Sequence, residues 1–293
     1  MRWRTGELQA MTDHDVITNA LSFDIEDWFH LVEIKAVEDP SQWGALPSLV
    51  VDYTAWILDK VGQSQVKATF FIVGWVAQRY PEIVRRIAEA GHEVAIHSFW
   101  HRRADELTPE QLHEDLARNI DVVQQQSGKK VLGFRAPSFS VTLGAEWIFD
   151  VLHDLGLKYD ASLFPAPRGQ GGYPCRQAPH EFTAVPSGRP MLELPMSVMR
   201  FGPMRLPFSG GGYLRVLPKP VIRLGFRSFN KQGLPVVVYL HPRDFASDCP
   251  RVPMPMVRRF KCYVGLKSTE AKFDMLLKRY RFNTCAAVLG LEC

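Results

Sequence analysis

Short apolar runs alternate with amphipathic stretches along most of this 293-residue chain. Residues 19–27, NALSFDIED, predict a first strand. DYTAWILDKVG (52–62) then places Tyr53, Trp56 and Ile57 on one helical face, with Gly62 as a stop. KATFFIVG (67–74) reads as a buried strand from its β-branched and aromatic content. PEIVRRIAEAG (81–91) follows as a helix, with Pro81 at its start, Ile83, Val84 and Ile87 on one side, and Gly91 at its end. HEVAIHS (92–98) is the next strand. Residues 108–128 carry the strongest helix pattern, with Thr108 as cap, Pro109 in the first turn and Gln111 completing a capping box.

The alternation continues through a strand at 131–139 (VLGFRAPSF), a helix at 145–156 and a short strand at 157–162 (LKYDAS). A hairpin-like segment (181–197), a glycine-rich loop FSGGGY (208–213), a helix (219–233) and the apolar strand PVVVYLH (235–241) come next. The tail predicts a helix over 268–282 and one more strand over 284–290. Such alternation is the mark of an α/β chain with a parallel sheet. With no internal repeat or low-complexity linker, one domain with insertions is expected: a barrel domain over 16–245 and a C-terminal extension over 246–293 packed on it. Residues 1–15 form a polar N-terminal extension without periodic pattern, in which Met11 is a second plausible start.

Composition adds exclusions. Hydrophobic residues make up 46% and charged residues 23%, the balance of a soluble globular protein. No run approaches the roughly 18 to 20 apolar residues of a membrane span, and the N-terminus lacks the apolar segment of a secretory signal, so a cytoplasmic location is expected. The net charge of +4 arises from 35 basic and 31 acidic residues that are mostly interspersed. The densest basic patch, Arg251 with Arg258, Arg259 and Lys261, suits either peripheral contact with an anionic membrane face or a solvated surface. Without zinc-finger spacing or aromatic RNA-binding motifs, no nucleic-acid partner is expected. The five cysteines form no CxxC pair and predict neither a disulfide framework nor a thiolate metal site.

The candidate chemistry lies at the C-terminal ends of the predicted strands. Asp24, Glu26 and Asp27 end the first, His97 follows EVAI, Arg135 follows VLGF, Asp160 follows LKY, and His241 follows VVVYL. Each alone has a structural explanation, as a cap, a turn residue or a buried histidine. In a β/α barrel, however, strand ends converge on the face that carries the active site. His97 and His101 can share a metal with a carboxylate from the first strand, leaving an open position for water. Zinc suits two imidazoles and a carboxylate; cobalt, nickel or iron bind similarly. A free carboxylate such as Asp24 can take the water's proton, His241 can protonate a departing amine, and Arg135 can orient the base through a bidentate contact. These parts describe hydrolysis of an amide or ester.

In order along the chain, SFDIED, HSFWH, RAPSF, YDAS and VYLHP resemble the motifs of the polysaccharide deacetylases, the NodB-homology carbohydrate esterases of family 4. The resemblance spans roughly residues 20 to 245. It implies a distorted, incomplete (β/α) barrel of about seven parallel strands. It also implies Asp24 as base, His97 and His101 as metal ligands, Arg135 tethering the base and His241 as general acid. One departure concerns the third ligand: Ile25 follows Asp24 where the family commonly has a second aspartate. Strand alternation puts Glu26 on the face of Asp24, whereas a bulge would bring Asp27 around, so either can complete the site. Pro137, Asp160, Gly211, Tyr213 and Trp28 are candidate substrate contacts, with Trp28 and Trp100 able either to stack on sugar faces or to pack in the core.

The FDIEDWF wording, SGGGYLRVLP and the tail resemble the branch associated with bacterial exopolysaccharide biosynthesis loci. The substrate implied is an N-acetylated oligosaccharide, polysaccharide or lipid-linked sugar. Two alternatives stand beside an N-deacetylase: a hydrolase of a small linear or cyclic amide, and an inactive carbohydrate-binding protein. The joint presence of Asp24, His97, His101, Arg135 and His241 argues against the last.

Overall fold

The structure, a computed structural model, describes residues 17–32, 34–167, 172–183 and 186–291. The N-terminal extension expected over 1–15 lies outside the described residues. Eleven strands are described: β1 Thr18–Ile25, β2 Thr69–Ile72, β3 Glu93–Ile96, β4 Gly133–Phe134, β5 Tyr159–Asp160, β6 His180–Phe182, β7 Met191–Glu193, β8 Val198–Phe201, β9 Met204–Pro207, β10 Val237–Leu240 and β11 Arg281–Asn283.

Seven of these lie side by side in the order β10-β1-β2-β3-β4-β5-β7, every neighbouring pair parallel. This is the incomplete barrel of about seven strands implied by the motifs. β6 adds antiparallel to β7, and β10 and β6 end the strand order without pairing with each other. β11 pairs with Thr18–Ala20, the first residues of β1, before β2 begins its register at Ser22. The last segment of the chain is therefore built into the sheet beside the first strand.

Period-2 alternation divides the side chains of the central strands. Leu21, Phe23, Ile25, Val94, Ile96, Val238 and Leu240 join the larger core under the helices. Ala20, Ala95, Val237 and Tyr239 point to the other face and pack with Phe71, Tyr159 and Leu194. Asp24, His97 and His241 lie in phase with this second set, so the barrel's alternation alone brings them to one side. All but the first residue of β1 are buried, as expected of a parallel strand covered on both faces.

Two elements differ from the pattern. The strand expected at 284–290 is a short helix, Cys285–Val288, because Thr284 Oγ1 accepts from Ala287 N (3.0 Å) and caps it. The strand falls earlier, at β11, where the preceding helix had been expected to run to 282; that helix is Leu266–Arg279. The expected hairpin at 181–197 is the β6–β7 pair, and a second hairpin, β8–β9, turns at Gly202 (φ +57°).

His92, at the foot of β3, is 3% exposed, and its Nδ1 accepts from Ala68 N (3.3 Å). Burial, with Lys67 and Lys129 nearby, pushes its pKa down to about 4. The unfolded chain takes this proton near 6.5 while the folded chain resists it, so the histidine's contribution is intact above that pH and is lost as pH falls toward 4. At full extent the loss is about 3 kcal/mol. Urea midpoints measured at about pH 7 and about pH 4.5 should therefore converge partly in His92→Gln, which keeps a polar group without the titration.

Candidate active site

β1 ends in a tight turn in which Glu26 N donates to Asp24 O (3.0 Å). This keeps Glu26 beside Asp24. Glu26 Oε2 lies 2.5 Å from His101 Nε2 and 3.9 Å from His97 Nε2. Ligand atoms of Glu26, His97 and His101 all fall within 4.8 Å of one another, and all three residues are buried. Tetrahedral zinc with bonds near 2.0 to 2.1 Å separates its ligand atoms by about 3.3 Å, so small side-chain shifts would accommodate an ion. His97 Nδ1 meets Arg135 O at 2.7 Å; as donor there, it leaves Nε2 with a free lone pair facing the carboxylates. His101 Nε2 is buried and satisfies no hydrogen-bond geometry despite its closeness to Glu26. These donors fit a divalent transition metal.

Asp27, the other candidate ligand, is placed elsewhere. Its carboxylate accepts from Trp28 N (2.8 Å), Ser48 Oγ (2.5 Å), Leu49 N (3.1 Å) and Val50 N (3.3 Å), and so caps the helix Val50–Gln63. Those orphan amide donors claim the oxygens a metal would need. Burial still pushes its pKa up.

Arg135, wholly buried, donates from Nη1 to Asp24 Oδ1 (2.7 Å) and Ser22 Oγ (2.9 Å), and from Nε to Ala161 O (3.1 Å). Its grip on Asp24 is through one nitrogen rather than the expected bidentate fork: Nε is committed to the backbone after β5, and Nη2 is buried without a hydrogen-bond partner. The guanidinium lies 4.1 Å from the Phe71 ring centroid. His241 Nε2 stands 3.7 Å from Asp24 Oδ2 and 3.9 Å from Glu26 Oε1. Its Nδ1 meets Asp244 Oδ2 at 2.8 Å, and Arg215 Nε is 3.0 Å from Asp244 Oδ1. Burial lowers the His241 pKa, but Asp244, Glu26 and Asp24 outweigh it and leave it raised. Burial likewise opposes ionisation of Glu26, yet His101, His241 and Arg243 hold its carboxyl well below the usual range. His97 is pushed down to about 4, chiefly by burial.

Arg215, Arg243 and Asp244 escaped the sequence reading. The HPRD run offered a signal, since Pro242 and Asp244 occupy the first and third positions of a short helix and Asp244 bonds back to His241 N (2.9 Å). Among the expected substrate contacts, Trp28 is 4% exposed and donates Nε1 to Pro47 O (2.7 Å), so it packs in the core and offers no sugar-stacking face. Asp160 is fully buried and turns to Ser162 N and Oγ (3.0 and 2.6 Å), which removes it from the substrate's reach. Pro137 is buried in the turn 137–139. Gly211 is buried; at the preceding Gly210 a Cβ would meet the Tyr239 ring at 2.2 Å, so the glycine loop exists for close approach to β10. Tyr213 alone of the five is substantially exposed.

The HSFWH turn itself is held from two sides. Ser98 and His101 adopt positive φ (+63° and +52°), and Asp115 accepts from Phe99 N (2.6 Å) and Trp100 N (3.3 Å). Gly74 passes so close that a Cβ would sit 2.3 Å from the Phe99 ring and 2.9 Å from its Cα. If this cluster holds a divalent metal, Gly74→Ala and Asp115→Ala are expected to weaken its binding roughly 10- to 100-fold by displacing His101. Competition with a chromophoric chelator, alongside circular dichroism to verify folding, checks this.

Residues 43–159 match the family model described as polysaccharide deacetylase, and residues 161–290 match a domain of unknown function, DUF3473. A peptidoglycan deacetylase-like protein of Gibberella zeae is 33% identical over 107 residues, 36% of this chain and 30% of that protein. A peptidoglycan-N-acetylglucosamine deacetylase of Bacillus cereus is 31% identical over 87 residues, 30% of this chain and 32% of that protein. A chitooligosaccharide deacetylase of Bradyrhizobium is 37% identical over 60 residues, covering 20% and 27%. The chain thus matches about a third of the length of these curated relatives or less. Among solved structures, a candidate polysaccharide deacetylase of Mycobacterium smegmatis superposes with TM-score 0.55 at 23% identity, covering 82% of each chain. The Puue allantoinase gives 0.59 at 16% identity, covering 92% of this chain and 87% of that one, a likeness of fold. Residues 43–159, which carry the HSFWH turn of the open parallel barrel, are thus similar to the polysaccharide deacetylase family.

Proposed function

We infer that this protein is a metal-dependent N-deacetylase. Its substrate is an N-acetylated sugar unit, such as N-acetylglucosamine, in an exopolysaccharide or its precursor. The observation that carries the reading is the joint reach of Asp24 and His241 into the Glu26–His97–His101 cluster, at 4.0 Å from His97 and 3.9 Å from Glu26 respectively. The similar proteins, which include a peptidoglycan-N-acetylglucosamine deacetylase and a chitooligosaccharide deacetylase, support the sugar class. The exopolysaccharide assignment rests on the FDIEDWF and SGGGYLRVLP wording.

Glu26, His97 and His101 would hold the metal, for which zinc is the best match to the donor set, and it would supply Lewis acidity for polarising a carbonyl and lowering the pKa of water. Asp24 accepts the water's proton, and Arg135 fixes the direction of that carboxylate. His241 gives a proton to the departing amine, with Asp244 holding its Nδ1 so that Nε2 faces the reaction. Free amine and acetate leave.

Metal content and acetate release from N-acetylated oligosaccharides test this together. Asp24→Asn should retain metal and lose activity roughly 10²- to 10⁴-fold, and His241→Ala should behave alike. Glu26→Gln should lose both metal and activity, whereas Asp27→Asn should lower stability while metal remains. Full activity in Asp24→Asn would remove the base assignment. Hydrolysis of small linear or cyclic amides without acetate release from any sugar would replace the substrate class.

A further inference from the structure

The helix Met256–Tyr263 buries none of its residues. Met256, Val257 and Phe260 are 86%, 70% and 60% exposed, a concentration of bare apolar surface that a soluble protein ordinarily avoids. At about 100° per residue these three share an arc of about 100°. Arg259 borders the arc on one side and Lys261 on the other, both exposed. The opposite side faces the protein: Arg258 donates to Val32 O, and Arg215 donates to the carbonyls of Lys261 (2.8 Å), Cys262 (2.8 Å) and Val264 (3.0 Å). The neighbouring helix Gly211–Val216, which carries Arg215, adds Tyr213 and Val216 at 37% and 49% exposure.

Residues 249–269 contain five basic side chains and no acidic one. We propose that this helix is a docking surface for an anionic lipid bilayer, with Met256, Val257 and Phe260 entering the headgroup boundary and Arg251, Arg259, Lys261 and Lys267 meeting lipid phosphates. An apolar stripe edged by cations is the chemistry of an interfacial helix. A second copy of this chain is a poor occupant, because it would present the same four exposed cations, Arg251, Arg259, Lys261 and Lys267. Docking is peripheral, since no described helix is long and apolar enough to cross a membrane. Arg215 ties the helix to the site, bonding its carbonyls and also contacting Asp244, which holds His241. The surface stands independently of the reaction proposed above.

Co-sedimentation with phosphatidylcholine vesicles, with and without phosphatidylglycerol, tests the proposal on the full chain. Binding should require phosphatidylglycerol and weaken at high salt. The triple variant Met256→Ser, Val257→Ser, Phe260→Ser should bind roughly tenfold or more weakly, and Arg259→Glu with Lys261→Glu should do likewise. Leu224→Ser, at an apolar position 49% exposed on another helix, should bind as the parent does. These substitutions lie at exposed positions, and unchanged circular dichroism and metal content would show that the fold survives. No sedimentation with anionic vesicles, or equal binding by the triple variant, would overturn the proposal. So would a dimer of the parent chain that the triple variant abolishes.

Discussion

The active-site rim depends on burying Asp24 and Glu26 side by side, both within about 4 Å of His97. An unpaired charge withdrawn from water costs several kcal/mol, so two adjacent carboxylates are tenable only with matched cations in place. Three guanidiniums answer three carboxylates: Arg135 on Asp24, Arg243 3.7 Å from Glu26, and Arg215 on Asp244. Burial disfavours the charged form of His97, while Asp244, Glu26 and Asp24 raise the pKa of His241. A divalent ion in the cluster would then leave an excess of positive charge where a carbonyl oxygen becomes negative during amide hydrolysis. The arginines therefore do more than position neighbours; they set the charge against which an ion acts.

This constraint explains why so much of the rim was legible in sequence and why part of it was not. Asp24, His97 and His241 sit at strand ends in phase with Ala20, Ala95 and Val237, and strict alternation carries them to one face. Asp160 ends β5 in the same manner, yet its oxygens are taken by Ser162 and its strand neighbour is Glu193 on β7, a pairing that only the curled sheet defines. The choice between Glu26 and Asp27 turned on Ser48, Leu49 and Val50, more than twenty residues downstream, whose donors needed a cap. No local pattern announces that. Arg215 was invisible for the same reason, since its partner Asp244 becomes a neighbour only after β10 is laid beside β1.

Backbone proximity is the second thread. Gly74 lets the chain after β2 touch the HSFWH turn, and Gly210 bridges Tyr239 at the free side of β10. In both places a side chain would push apart segments that carry rim residues: His101 in the first, His241 in the second. The two matched family spans meet at residues 159 and 161, in the barrel wall, so the histidine pair and His241 come from different spans, and Asp24 and Glu26 precede both. The site exists only when all three segments are joined in one sheet, which places any loss of pairing between β10, β1 and β3 through β2 directly on the site.

Exposure falls in a consistent order across the rim. The side chains of Asp24, His97 and Glu26 are 3%, 3% and 6% exposed, while His241 and Arg243 reach 14% and 17%. An incoming molecule thus meets the β10 side first and the carboxylates last. On the proposed chemistry the deepest groups are those that would serve the acetyl carbonyl and water, and the shallower His241 is the one that would serve the leaving amine. Depth and the proposed placement of the acid thus agree.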